Sequence, residues 1–196
     1  PAILEMCNKL GLVATLEIPF VNKAAANEAG KQNTVNMLKE AIRFNYNHPA
    51  IIAWNLGNET TMKAPNTFGK EYIKHFVSTH EVLAKTIKEE DETRYSYSVF
   101  FREPAYQDRL GIRFTELVGY NKYYGWYIQE LEAIDKNLRN LVARSLELNP
   151  DKPFILSEYG GGADPRLRSY NPTRFDFSVE YQFLLHKYYM KTILDM

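Results

Sequence analysis

Ala50-Ile51-Ile52-Ala53-Trp54-Asn55-Leu56 is a largely apolar run of strand length, closed by Gly57 and Asn58 and ending on Glu59. Apolar runs without alternation read as strands buried on both faces, as in a parallel sheet covered by helices. A charge at the end of such a strand serves no packing purpose. Phe154-Ile155-Leu156-Ser157 repeats the arrangement, running into Glu158, Tyr159 and the triplet Gly160-Gly161-Gly162. In a barrel of alternating strands and helices, the carboxyl ends of the strands form the face that carries chemistry.

Working outward, residues 11–18, 94–101 and 116–124 supply three further strand-like runs. Between them lie helical patterns. Val35, Leu38, Ala41 and Ile42 share one face of a helix whose start Asn33 or Thr34 would cap and which His48-Pro49 stops. Phe68, Tyr72, Phe76, Leu83 and Ile87 predict a second helix. Leu131, Ile134, Leu138, Leu141, Val142, Ser145 and Leu148 predict a third, and Val179, Phe183, Leu184, Tyr188 and Ile193 a fourth. Alternation of this kind predicts an α/β fold, a segment of a (β/α)8 TIM barrel, with residues 1–196 as one partial catalytic barrel domain. The rival, a doubly wound nucleotide fold, wants a glycine-rich turn after its first strand. Here the glycine triplet follows the last strand and lacks the Lys and Ser/Thr of a phosphate loop.

Composition narrows the function classes. With 24 basic and 24 acidic side chains the formal net charge is zero, which argues against nucleic acid as a partner. No apolar run approaches the about 20 residues that span a bilayer, so no membrane partner is expected. The single cysteine, Cys7, excludes an internal disulfide. His75, His80 and His186 fall on helical patterns without ligand spacing, His48 suits a backbone bond, and so neither a metal nor a cofactor is expected. The chain opens at Pro1 with no basic-apolar leader; it reads as an internal piece of something longer, of unknown compartment. The 14 Tyr, 11 Phe and 2 Trp are rings that either stack on sugars or fill a core.

Two carboxylates are the minimum equipment for cleaving a glycosidic bond. One protonates the leaving oxygen and the other meets the positive charge that develops on the sugar. Mutual repulsion and burial keep one of such a pair protonated while the other stays ionised. The plainer alternatives are a helix cap for Glu59, a salt bridge for Glu158, turn bonding for Asn58 and core packing for Tyr123 and Tyr124. Glu17, at another strand end, lines a pocket or forms an ion pair. Trp54 suits the core, whereas Trp126, beyond its strand, is the better sugar platform. Arg166, Arg168 and Arg174 suit a solvated surface, or alternatively an anionic sugar or a partner domain.

Asn47-His48-Pro49 followed by Trp54 to Glu59 resembles the acid/base signature of glycoside hydrolase family 2, which holds β-galactosidases, β-glucuronidases and β-mannosidases. Phe154 to Gly160 resembles its nucleophile signature, and Asn121-Lys122-Tyr123-Tyr124-Gly125-Trp126-Tyr127 a third family motif. Cys7 to Leu12, running to Glu17-Ile18-Pro19, resembles the segment around the third barrel strand. The resemblance implies strands three to seven of eight and a retaining glycosidase. It makes Glu59 the acid/base, Glu158 the nucleophile, Asn58 a ligand of the sugar 2-hydroxyl and Tyr123 a hydrogen-bond partner of the nucleophile, with Asn121 and Trp126 also at the substrate. The expected partner is a small β-glycoside, and the motif details favour a β-galactosidase over a β-glucuronidase or β-mannosidase. An inactive sugar-binding fragment is the other reading. With family strands lacking a counterpart, the chain alone is expected to form homo-oligomers and to lose activity by about a thousandfold, or ~4 kcal/mol.

Overall fold

The computed structural model of the chain describes residues 2–21, 27–60, 62, 70–101, 104 and 111–196, without the side chains of 70–72. Phe68, assigned above to a helix, lies outside them. In chain order the elements are α1 (Ala2–Leu10), β1 (Ala14–Glu17), α2 (Glu28–Asn45), β2 (Ile51–Asn58), α3 (Lys70–Glu90) and β3 (Tyr95–Phe100). They continue with β4 (Leu117–Asn121), α4 (Ile134–Leu148), β5 (Phe154–Glu158) and α5 (Val179–Leu194). The strands pair in the order β1-β2-β3-β4-β5, all parallel, and curl into half of a TIM barrel. The α/β barrel segment read from the alternation is therefore what the chain forms.

Successive side chains on a strand point to opposite faces of the sheet. On the outer face Trp54 and Leu56 pack with Leu38 and Ile42 of α2 and Phe76, Leu83 and Ile87 of α3. Phe100, Val118 and Tyr120 pack with Ile134, Leu138 and Leu141 of α4 and Tyr181, Leu185 and Tyr189 of α5. On the inner face Ala53, Tyr97, Val99, Leu117 and Ile155 form a smaller cluster. The central strands are buried, but β1 and β5, at the two ends of the described sheet, are half-exposed. Trp54 is pinned by donating Nε1–H to Asp91 Oδ2 at 2.9 Å, with the Arg94 guanidinium over its ring. Burial alone would raise the Asp91 carboxyl, but the bonds from Thr93, Arg94 and Trp54 outweigh it and hold it at about 2.

Three expectations need correction, and one helix was missed. The helix predicted from Asn33 starts at Glu28, because Asn27 Oδ1 accepts from Gly30 N–H at 2.7 Å and caps it. Its first turns are polar and mostly exposed, so apolar periodicity had nothing to register there. Helix α1 went unread, since Leu4 alone of its residues is buried. The buried face of α5 is Tyr181, Leu185, Tyr189 and Thr192, while Phe183 is 66% exposed. That face turns inward because Tyr181 Oη reaches the Gly125 carbonyl at 2.5 Å and Tyr189 Oη the Lys122 carbonyl at 2.8 Å. The run at 116–124 stops pairing at Asn121, so Tyr123 and Tyr124 belong to the loop beyond β4.

Candidate active site

The ends of β2, β4 and β5 are where regular pairing breaks. Register shifts between Asn55 and Asn58 against β3, and between Tyr120 and Asn121 against β5. Such irregularities re-aim the side chains that follow them. Gly57 is required here: at φ 150 a side chain is strained, and an added Cβ would lie 2.2 Å from the Phe20 carbonyl oxygen. That approach lets the Asn58 N–H donate to the same carbonyl at 3.1 Å. The next residue, Glu59, takes φ 47, in the left-handed region that costs a non-glycine residue about 1–3 kcal/mol. Its N–H donates to the Val99 carbonyl at 3.0 Å, so β3 holds the strained residue in place. Thr60 behind it bonds His80 Nε2 at 3.3 Å, and His80 Nδ1–H reaches the Phe76 carbonyl at 3.1 Å. Burial lowers that imidazole to about 4, so it stays neutral and is a strut, not a charge.

Glu59 and Glu158 line one cavity of about 380 Å³, with Asn58, Asn121, Tyr123 and Tyr127 around them. Their surroundings differ. Glu59 is 7% exposed and accepts from Asn121 Nδ2 at 2.9 Å. Burial, with the Glu158 charge adding to it, raises its carboxyl, while Asn121 and Lys122 pull the other way. Glu158 is exposed at the end of β5, and its carbonyl accepts from the Lys122 N–H at 2.9 Å. Tyr123 Oη donates to Glu158 Oε2. Burial and the Glu158 carboxylate raise the Tyr123 phenol, so it remains a donor. A buried carboxyl with a raised pKa and an exposed one thus face one space, the asymmetry of surroundings that acetal cleavage uses.

The other sequence-chosen residues separate. Asn58 lies on the cavity wall, half-buried. Asn121, chosen for the substrate, is 2% exposed with its amide fully engaged: Nδ2 donates to Asn58 Oδ1 and Glu59 Oε1, and Oδ1 accepts from Ser157. Trp126 is corrected: at 4% exposed it packs against Phe175, Phe177 and Tyr181 and is no open platform. Gly161 makes room for its indole, since an added Cβ would fall 2.8 Å from it, and Gly162 makes room for Phe177, at 2.9 Å. Tyr127, 66% exposed and edge-on to Tyr123, offers the free ring that Trp126 lacks. Its place two residues past Gly125 in the same motif was the available signal.

Glu17 is brought to a second cavity of about 370 Å³ that shares Asn58 and Glu158 with the first. It accepts from Asn55 Nδ2 at 2.7 Å, and burial, then the Glu158 charge, raises its carboxyl to about 7. His48 Nδ1 bonds the Asn8 amide at 3.0 Å. Arg166, Arg168 and Arg174 pair with Asp164, Glu180 and Glu130 on the surface. Among the described residues no three His, Cys, Asp or Glu side chains converge as a metal site, and no helix is long and apolar enough to cross a membrane.

Residues 2–194 match the family described as "Glycosyl hydrolases family 2, TIM barrel domain". The β-glucuronidase of Sus scrofa is 29% identical over 199 residues, covering 98% of this chain and 28% of that protein. The β-glucuronidase of Bacteroides fragilis is 32% identical over 166 residues, covering 81% and 21%. The crystal structure of a Bacteroides uniformis β-glucuronidase superposes with a TM-score of 0.88 at 35% identity, covering 99% of this chain and 23% of that one. The chain thus spans about a quarter of the length of the relatives it matches.

Proposed function

Because this chain belongs to glycosyl hydrolase family 2, within the TIM barrel domain, we propose that it carries the catalytic carboxylates of a retaining β-glycosidase acting on β-glucuronides. The observation that carries the reading is the contrast between Glu59, buried and with its carboxyl raised by that burial, and open, Tyr123-bonded Glu158 in one cavity. Glu158 attacks the anomeric carbon as Glu59 gives its proton to the leaving glycosidic oxygen, leaving a glycosyl ester on Glu158. Glu59, now ionised, takes a proton from water, whose oxygen displaces Glu158 and restores both groups. Tyr123 holds Oε2, which leaves Oε1 to attack, and the position of Asn58 on the cavity wall supports its reading as the ligand of the sugar 2-hydroxyl.

The galactoside favoured by the motif details gives way to the glucuronide, because the relatives compared above are β-glucuronidases. Rates of the protein on aryl β-glucuronide, β-galactoside and β-mannoside test the choice. The glucuronide is expected to be fastest, with the β-anomer released first by proton NMR. Glu59→Gln and Glu158→Gln are each expected to cost about 10²–10⁴-fold or more. A preference for galactoside overturns the substrate; release of the α-anomer overturns the mechanism.

A further inference from the structure

Asn121 bonds Glu59 through its side chain, and part of what fixes the Asn121 amide is Ser157, the residue before the other catalytic carboxylate. Its NH2 faces two oxygens, Asn58 Oδ1 at 3.0 Å and Glu59 Oε1 at 2.9 Å, so its own Oδ1 must point away. There it meets Ser157 Oγ at 2.8 Å, on the neighbouring strand β5. An amide oxygen has no proton to give, so the Ser157 hydroxyl donates. The Ser157 hydroxyl also interacts with the Tyr97 phenol of β3; with its one proton given to Asn121, it is left to accept there. Tyr97 is 2% exposed, and its hydroxyl occupies the space where β4 lacks a side chain: a Cβ on Gly119 would lie 2.2 Å from Tyr97 Oη. The bonds from Ser157 to Asn121 and from Asn121 to Glu59 point one way, and hydrogen bonds aligned so reinforce one another.

We propose that Tyr97 and Ser157, seated by Gly119, are positioning residues that lock the Asn121 amide with its NH2 toward Glu59 and so set the charge state of that carboxyl. The assignment refines the role given to Glu59 in the proposed function. Releasing Ser157 frees the amide to turn its oxygen toward Glu59, where only the protonated carboxyl is tolerated. The other groups facing Glu59, namely Glu158, Lys122 and Tyr123, keep their places.

The test is a carbon-13 NMR titration of glutamate side chains, with the Glu59 resonance identified by Glu59→Gln. Ser157→Ala is expected to raise the Glu59 midpoint by about one pH unit, the size of a lost bond to a carboxylate. Ser157→Thr, which keeps the hydroxyl at a position lining the roughly 370 Å³ cavity, is expected to keep the native midpoint, and Tyr97→Phe to fall between. An unmoved midpoint in Ser157→Ala overturns the relay, as does an equal shift in Ser157→Ala and Ser157→Thr. Because the readout is not turnover, a protein inactive on every glycoside yet showing this pattern would sink the functional reading and leave the relay standing.

Discussion

Glu59 is pushed toward its protonated form by burial and the Glu158 charge, and drawn back by Asn121 and Lys122. Neutralising the neighbour therefore has a definite sign. Glu158→Gln removes an anion that disfavours ionisation, so Glu59 is expected to titrate at lower pH than in the native chain, as followed by carbon-13 NMR. A midpoint that stays or rises would mean the two carboxyls do not feel each other. At this scale the sequence exposes charges and hides their settings. Glu59 and Glu158 stand out because an acid ending an apolar run has no packing use. Ser157 and Tyr97 do not, since a serine and a tyrosine inside a strand carry no mark of the amide they orient. Trp126 misled for a related reason: its burial comes from Gly161 and two phenylalanines far along the chain.

Helix α5 fastens the site from behind. Tyr189 bonds the carbonyls of Lys122 and Tyr124, at 2.8 and 3.2 Å, on either side of Tyr123. Tyr189→Phe leaves buried carbonyls without their donor and is expected to cost about 1–3 kcal/mol, measured by urea denaturation. Phe183→Ser, on the exposed side of the same helix, is expected to change stability by no more than about 0.5 kcal/mol. Reversal of that order would restore the face that apolar spacing suggested. Spacing succeeded for α4, where Ile134, Leu138 and Leu141 are buried as their recurrence predicts. It failed for α5 because tyrosine hydroxyls, which a hydrophobicity pattern penalises, find carbonyls inside.

For the molecule as a whole, the inner face of the half-barrel mixes the apolar Val99 and Ile155 with Glu17 and Glu158. Glu17, raised to about 7 by burial and then by Glu158, binds its proton in the folded chain after the unfolded chain has released it. Stability is accordingly expected to be greatest below about pH 4.5 in this contribution and to be lost as pH rises through about 7. Thermal melts across that window should fall less steeply for Glu17→Gln; an unchanged slope would assign the loss elsewhere. The barrel segment itself was readable throughout, since strand-helix alternation depends on near neighbours alone. Its inner polar lining was not, because that depends on which strands face one another across the curve. The sheet order β1-β2-β3-β4-β5 also bears on assembly. No strand has to be inserted between two already joined, so each new unit docks on the edge that the previous one leaves, and the contacts stay short in sequence. A chain emerging from the ribosome can lay down its sheet in the order of translation. Glu59 then waits on a growing template, and the pair of carboxylates comes into being when β5 is added.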